Sequence, residues 1–141
     1  MPALRAAAVS AALFSLTVLG CGGSGPYGVV STKGVIKYDD GSLIQAERIE
    51  LLFNSQEPAK DAKTHPRQGV AEVNVADGTF TPTTYEFGDG LIRGEHLVIA
   101  KSIKMGFGNT PAIPQKYHST ETTPLRIDAQ GQFLELTIEK P

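Results

Sequence analysis

The stretch LELTIE, residues 134–139, alternates apolar and polar side chains without interruption. Successive side chains of a β-strand point to opposite faces of the sheet, so a period of two predicts a strand with one buried face. The three apolar side chains would face a core, and the two glutamates and the threonine would face solvent. This stretch gives the clearest strand signal in the chain.

The same alternation recurs through the body of the chain. Residues 49–53 and 71–75 carry apolar side chains at every second position. In residues 96–100 both faces carry apolar side chains, which predicts a central strand. Residues 29–38, 79–84 and 125–128 are predicted as further strands.

Turn signals separate these strands. Asp-Gly pairs at residues 40–41 and 77–78 are typical of hairpins, because glycine tolerates positive φ. Two loops, a polar one at residues 54–68 and one with several Gly and Pro at residues 104–121, are long enough to be either functional or mobile. About seven short strands at this spacing predict an all-β fold, a single Greek-key β-sandwich.

The composition fits one small globular domain. The chain has 141 residues, of which 40% are hydrophobic and 20% are charged. Fifteen Gly and nine Pro favour short strands and turns, because both residues interrupt helices. The formal net charge of −2, without a basic stripe, argues against nucleic acid as a partner.

The first 20 residues have the pattern of a secretory signal. Arg5 is the only charge before Lys33, and residues 6–19 form a weakly apolar run. A membrane-spanning helix needs about 20 apolar residues, so this run is too short to serve as one. Residues 1–20 are therefore predicted to be a signal peptide that is removed on export.

Cys21 is the only cysteine, and it follows this run directly. A single cysteine cannot form an internal disulfide. The sequence VLGC, residues 18–21, resembles the lipobox of bacterial lipoproteins, which implies that the Cys21 thiol receives a diacylglyceryl group and becomes the mature N-terminus. The alternative is ordinary secretion, with cleavage near Gly20 and no role for Cys21. Residues 21–28 would form a flexible tether, and residues 29–141 the sandwich domain.

The body of the chain resembles a family of small envelope proteins. The segment GVIKYDDGSLI, residues 34–44, is similar to the first strand and turn of planctomycete-type lipoproteins, described as carboxypeptidase-regulatory-like or transthyretin-like domains. The similarity continues through residues 77–80, 88–90, 94–99 and 113–117, with His96 where the family has a tyrosine. The resemblance implies a transthyretin-like sandwich that serves as a non-catalytic module of the cell envelope.

Patterns that carry catalysis or metal binding are weak. His118 and Glu121 match half of a zinc-peptidase motif, but no later histidine completes the ligand set. His65, His96 and His118 lie far apart in sequence and are expected at the surface or at a sheet edge. Aspartates beside turn glycines are explained by the turns rather than by calcium. We therefore expect no enzymatic activity, no metal and no cofactor.

Carbohydrate binding is the alternative function. Sugars stack on exposed aromatic rings, and Tyr85, Phe107 and Tyr117 fall in predicted loops. The competing interpretation is that Phe107 and Tyr117 hold the long loop against the sandwich.

The sequence as a whole predicts a lipid-anchored, non-enzymatic protein of the cell envelope. Its partners would be a membrane, reached through the lipid on Cys21, and a protein or glycan of the envelope. The choice between inner and outer membrane stays open at this point.

Overall fold

The structure, a computed structural model, describes residues 25–103 and 112–141. Within these ranges the chain forms nine β-strands and one short 3-10 helix, and no α-helix. In chain order the elements are β1 (Val29–Val30), β2 (Gly34–Tyr38), β3 (Arg48–Ser55), β4 (Gly69–Glu72), β5 (Thr79–Phe80), β6 (Leu91–Ile92), β7 (Gly94–Ile103), the 3-10 helix (Gln115–His118), β8 (Arg126–Ala129) and β9 (Leu134–Ile138).

Seven of the strands form two sheets that share one core. The first sheet has the order β5-β2-β9, and the second has the order β4-β3-β7-β8. Strands β1 and β6 pair separately as a two-stranded ribbon. The fold is therefore all-β with the two layers of a β-sandwich, as the alternation predicts. The Greek-key order and the likeness to transthyretin stay predictions.

Strand β2 is the centre of the three-stranded sheet and pairs differently on its two sides. It is antiparallel to β5 but parallel to β9, with Gly34 opposite Leu134 and Tyr38 opposite Ile138. Parallel neighbours cannot be joined by a tight hairpin. The β2–β9 pairing therefore joins the beginning of the domain to its end.

The core consists of the side chains that the alternation assigns to one face. On β3, Ile49, Leu51 and Phe53 are each at most 1% exposed. Strand β9 buries its three apolar side chains and exposes Glu135 and Thr137 between them. Other members of the core are Ile36, Tyr38, Ile44, Ala71, Val73, Phe80, Leu91, Val98, Ala100, Ile113, Tyr117 and Ala129.

Strand β7 has the interior position that its two apolar faces predict. It lies between β3 and β8 in the four-stranded sheet. Val98 and Ala100 are fully buried in the core, and Ile99, on the other face, is still only 8% exposed.

Residues 29–38, predicted as one strand, form two. Strand β1 pairs with β6, and β2 pairs with β5 and β9, so the chain changes partners at residues 31–33. Thr32 is buried at this change, and its hydroxyl donates to the Val30 carbonyl oxygen at 2.8 Å. Residues 31–34 are all polar or glycine, so the apolar alternation gives no signal at this point and could not locate the break.

The strand predicted at residues 79–84 is also shorter than expected. Strand β5 ends at Phe80, and Thr83 instead forms a single antiparallel bridge to Val70 of β4. Two backbone hydrogen bonds of 2.9 and 2.8 Å make this bridge. They connect the outer edge of the four-stranded sheet to the segment that follows β5.

The strand register defines two ends of the sandwich. Ser55 lies opposite His96, and Gly94 lies opposite Ala129, so these strand ends meet at one end of the molecule. That end also carries the first described residues and the turns that follow β6 and β8, and we call it the tether end. The opposite end carries the 3-10 helix and the turn at residues 74–78.

Gly90 allows the two-stranded ribbon to close against the sandwich. Its φ is +108°, and an added Cβ would lie 2.0 Å from the Val30 carbonyl oxygen. We expect Gly90→Ala to lower the free energy of unfolding by more than about 3 kcal/mol, because a strained backbone and a backbone clash act together. Urea denaturation of a chain that begins at Gly22 would measure this loss.

Gly41→Ala is the matched control for this prediction. Gly41 also has a positive φ of +84°, but an added Cβ would meet no atom within 4 Å. The expected loss is therefore only about 1 kcal/mol, from the backbone conformation alone. Equal losses in the two variants would contradict a role for the close approach of Gly90 to Val30.

Candidate functional site

The first described residues are bound to the sandwich rather than extended from it. Tyr27 is only 6% exposed, and its hydroxyl donates to the Pro58 carbonyl oxygen at 2.8 Å and accepts the Lys60 N–H at 3.2 Å. The Lys60 ammonium lies 4.9 Å from the centre of the Tyr27 ring and contacts the Pro26 carbonyl oxygen. The folded domain therefore overlaps the predicted tether, residues 21–28, from Tyr27 onward.

The contacts of Tyr27 with Pro58 and Lys60 also hold the long loop at residues 54–68 against the start of the domain. The loop folds over Tyr27, and Asp61 fixes its tip by accepting the N–H groups of Lys63 and Thr64 at 2.7 and 2.8 Å. The hydrogen bonds from the Lys63 N–H, the Thr64 hydroxyl and the Thr64 N–H to the carboxylate lower the pKa of Asp61. This loop serves to hold the start of the domain.

A polar cleft of about 490 Å³ lies at the tether end, next to Tyr27. The Arg93 guanidinium donates to the Gln130 side-chain oxygen at 2.8 Å, and the Arg93 N–H donates to the Gly28 carbonyl oxygen at 3.0 Å. The lining combines two cations, a carboxylate and an amide, a set suited to a small polar group. The lining residues are Tyr27, Gly28, Glu57, Lys60, Ile92, Arg93, Gly94 and Gln130.

Tyr85, a predicted ligand contact, also lies at the tether end and is half-buried. Gly25 covers its ring so closely that an added Cβ would lie 2.3 Å from a ring carbon. The Arg67 guanidinium lies 6.0 Å from the ring centre. The Tyr85 hydroxyl is buried and makes no hydrogen bond within the described part of the chain. One side of this ring is therefore closed to a stacking ligand by the chain itself.

The loop that contains Tyr85 is fixed by the carboxylate of Asp89. It accepts the N–H groups of Thr84 at 2.7 Å, Tyr85 at 3.0 Å and Glu86 at 2.9 Å. Burial alone would raise the pKa of Asp89, but these backbone donors outweigh burial and lower it. The negative charge of Asp89 thus has a structural use in this turn.

Tyr117, another predicted ligand contact, lies at the opposite end and is 2% exposed. Its hydroxyl accepts the Glu139 N–H at 3.0 Å, which fixes the 3-10 helix beside the end of β9. A buried ring offers no face to a sugar, so Tyr117 is corrected from a ligand contact to a packing residue. Tyr85 and Tyr117 do not share a site, and Phe107 lies outside the described residues, as does Cys21.

The three histidines lie in three different environments. His65 is exposed, and the His118 Nε2 lies 3.1 Å from the Ile113 carbonyl oxygen. His96 is 1% exposed and packs edge-on against Phe53, so its expected surface or edge position is wrong. Burial lowers the pKa of His96, although the Gly94 carbonyl opposes this. No group of three or more metal-binding side chains converges among residues 25–103 and 112–141.

The aspartates beside turn glycines stabilise their turns. Asp77 accepts both the N–H and the hydroxyl of Thr79, at 2.9 and 2.7 Å. Asp40 accepts the Ser42 N–H at 2.9 Å and forms an ion pair with Lys140. Lys140 and Ser42 lower the pKa of Asp40, and Thr79 lowers that of Asp77. These bonds agree with the turn explanation given by the sequence.

Two exposed phenylalanines in turns were not recognised from the sequence. Phe87 is 100% exposed in the Asp89 loop, and Phe133 is 58% exposed in the turn between β8 and β9. A groove of about 450 Å³ lies beside Phe87 along the β4–β5 edge, and it extends from Val70 to Asn74 and Thr79 at the end opposite the tether end. Their exposure could have been expected from the sequence, because each phenylalanine lies within a turn and outside the period-two pattern of the strands.

No protein family, curated protein or solved structure matches the chain. Across the two described ranges, no helix has the length and apolar character needed to cross a membrane.

We expect Asp89→Asn to lower the free energy of unfolding by about 2 kcal/mol at neutral pH, because an amide cannot accept on both of its polar atoms. Since the folded pKa of Asp89 is lowered, its stabilisation is present above the ordinary value of 3.8 and is lost as pH falls through the folded value. The difference between the variant and the unmodified chain should therefore shrink in acid.

Urea denaturation at about pH 7 and about pH 3 would measure this difference. Asp77→Asn is the control, because the Asp77 carboxylate bonds only to Thr79 and is exposed, and it should have a smaller effect. A loss that is the same at both pH values would contradict the role of the ionised Asp89.

We expect Tyr117→Phe to lower the free energy of unfolding by about 1 kcal/mol, because the buried ring stays while the Glu139 N–H loses its acceptor. Tyr117→Ala should cost about 3–5 kcal/mol, as for other large buried aromatic side chains. Thermal or urea denaturation would distinguish the two variants. An alanine variant as stable as the phenylalanine variant would contradict the packing role.

Proposed function

We propose that this protein is a lipid-anchored, non-enzymatic β-sandwich of the cell envelope, which acts as an interaction or structural module. The observation that carries the proposal is the short interval between Cys21 and the folded domain. Gly25 already packs on Tyr85, and Tyr27 is buried. A thiol so close to a fixed domain surface is well placed to hold that surface at a membrane.

Physical chemistry supports the lipid as a sufficient anchor. Each buried methylene of an acyl chain contributes about 0.8 kcal/mol, and a single chain gives only reversible membrane binding. A diacylglyceryl group carries two chains, so it would hold the protein on a bilayer without a spanning helix. The apolar run at residues 6–19 would act as the export signal, because it is too short to span.

The non-enzymatic part of the proposal is supported by the uses of the reactive side chains. Asp40, Asp77 and Asp89 are acceptors in their own turns. Carboxylates and imidazoles that act in catalysis are held facing a substrate cavity. The likeness to carboxypeptidase-regulatory-like domains points to the same kind of module.

Glycan binding remains the alternative proposal, with less support. The three aromatic residues behind it do not act together, because Tyr117 is buried and lies at the end opposite Tyr85. A glycan array tests this alternative directly. Binding that is lost in Phe107→Ala and kept in the other aromatic variants would revive it.

Metabolic labelling with an alkyne fatty acid in a bacterial host tests the anchor. We expect the full chain to be labelled and recovered with membranes, and Cys21→Ser to be unlabelled. The matched control carries Cys21→Ser together with Ser24→Cys, which keeps one thiol but moves it three positions. Because the modification depends on the position after the apolar run, this double variant should also be unlabelled.

Two outcomes would contradict the anchor. Full-chain protein without label would leave ordinary secretion as the explanation of the leader. Equal labelling of the double variant would indicate that an accessible thiol is acylated without regard to its position.

A further inference from the structure

The polar cleft beside Tyr27 carries charges of both signs that do not pair with each other. Its lining includes the Lys60 ammonium, the Arg93 guanidinium and the Glu57 carboxylate. No ion pair joins Glu57 to either cation in the part of the chain that the structure describes. A cleft of about 490 Å³ that keeps opposite charges apart is suited to a small ligand that carries both.

Each cation is held by one of the first residues of the domain. The Lys60 ammonium lies 4.9 Å from the centre of the Tyr27 ring. The Arg93 N–H donates to the Gly28 carbonyl oxygen at 3.0 Å, and one guanidinium nitrogen donates to the Gln130 side-chain oxygen at 2.8 Å. A guanidinium has five N–H donors, so others remain for an oxyanion, which it can bind through two parallel hydrogen bonds.

The carboxylate of the cleft lies at the start of β7. A Cβ added at Gly94 would lie 2.5 Å from a carboxylate oxygen of Glu57, so this side chain packs on the glycine that directly follows Arg93. The backbone beside Glu57 is fixed as well, because the Gln56 N–H donates to the Glu95 carbonyl oxygen at 2.8 Å. The anionic and cationic parts of the cleft therefore adjoin on fixed backbone.

The lipid proposed on Cys21 would bring this cleft to the headgroups of a bilayer. Six residue steps separate Cys21 from Tyr27, and an extended chain spans at most about 3.6 Å per residue, or about 22 Å. The polar headgroup layer is itself about 5–8 Å thick on each side of a bilayer. Because Tyr27 and Gly28 line the cleft, it lies where the anchored chain would enter the domain.

We propose that the cleft binds the headgroup of phosphatidylethanolamine, with Arg93 and Lys60 on the phosphate and Glu57 on the ammonium. This inference rests on the proposed function, because the lipid on Cys21 supplies the bilayer. A planar guanidinium matches the geometry of a phosphate, and a primary ammonium offers three N–H donors to a carboxylate. The headgroup thus satisfies both parts of the cleft at once.

The same groups select against the other common headgroups. Phosphatidylglycerol carries no cation, so its phosphate would lie beside Glu57 without a partner for the carboxylate. The quaternary ammonium of phosphatidylcholine has no N–H to donate and is bound by open aromatic faces instead. The Tyr27 ring cannot serve in this way, because it is buried and already has the Lys60 ammonium beside it.

Native mass spectrometry tests this preference on the processed lipoprotein. The full chain is expressed in a lipidating host, purified in a non-ionic detergent and mixed with equal amounts of phosphatidylethanolamine, phosphatidylglycerol and phosphatidylcholine that carry the same acyl chains. We expect the phosphatidylethanolamine adduct to exceed each of the other two by at least about fivefold. The mass of the protein itself reports whether Cys21 is lipidated.

Two variants separate the two parts of the cleft. Glu57→Gln should lower the phosphatidylethanolamine adduct to the level of the other lipids, because the ammonium loses its carboxylate. Arg93→Gln should lower the adducts of all three lipids, since each has a phosphate, while the backbone bond to Gly28 is kept. Glu95→Gln and Arg126→Gln are the matched controls, because both residues are exposed and neither lines the cleft, and they should bind like the unmodified chain.

Equal adducts of the three lipids, or a preference that Glu57→Gln leaves unchanged, would overturn the inference. A parallel arm offers glycerophosphoethanolamine, which is the same headgroup without acyl chains. Binding of this solute as strong as that of the lipid would indicate a site for a free small molecule, and would overturn the assignment to a membrane lipid.

The anchor is scored separately in the same spectra. A chain recovered without lipid on Cys21 would contradict the proposed function. A lipidated chain without a headgroup preference would overturn the inference about the cleft and leave the anchor intact.

Discussion

The parallel pairing of β2 with β9 is the interaction on which the rest of the fold depends. It places Ile36 beside Leu136 and brings the first and last long strands of the domain into one sheet. No local turn can form this contact, so it must be stabilised by the burial of the shared apolar face against the four-stranded sheet. Once the pairing forms, both ends of the domain are fixed relative to the core.

Strand pairing does not satisfy the backbone groups of the loops, which are stabilised by polar side chains instead. Asp89, Asp77 and Gln132 each satisfy backbone groups that the sheets leave unpaired. This use accounts for the aspartates that lie in turns. Within residues 25–103 and 112–141, no three metal-binding side chains converge.

The tether end carries a surface that the core does not use. It combines the Tyr27 attachment with a polar cleft. The proposed lipid on Cys21 would hold this end at a membrane and leave the other end free for partners. The buried Tyr117 and the ion pair of Asp40 with Lys140 make that other end compact and polar.

The sequence by itself determined the fold class and most of the core, because alternation in stretches such as residues 134–138 directly encodes which side chains are buried. It also singled out Cys21, whose proposed lipidation depends on local sequence rather than on folding. Only the tertiary structure decided that Tyr117 is buried and that Tyr27 belongs to the domain. These properties depend on which strands pair across long separations in the chain, and a local pattern carries no record of those partners.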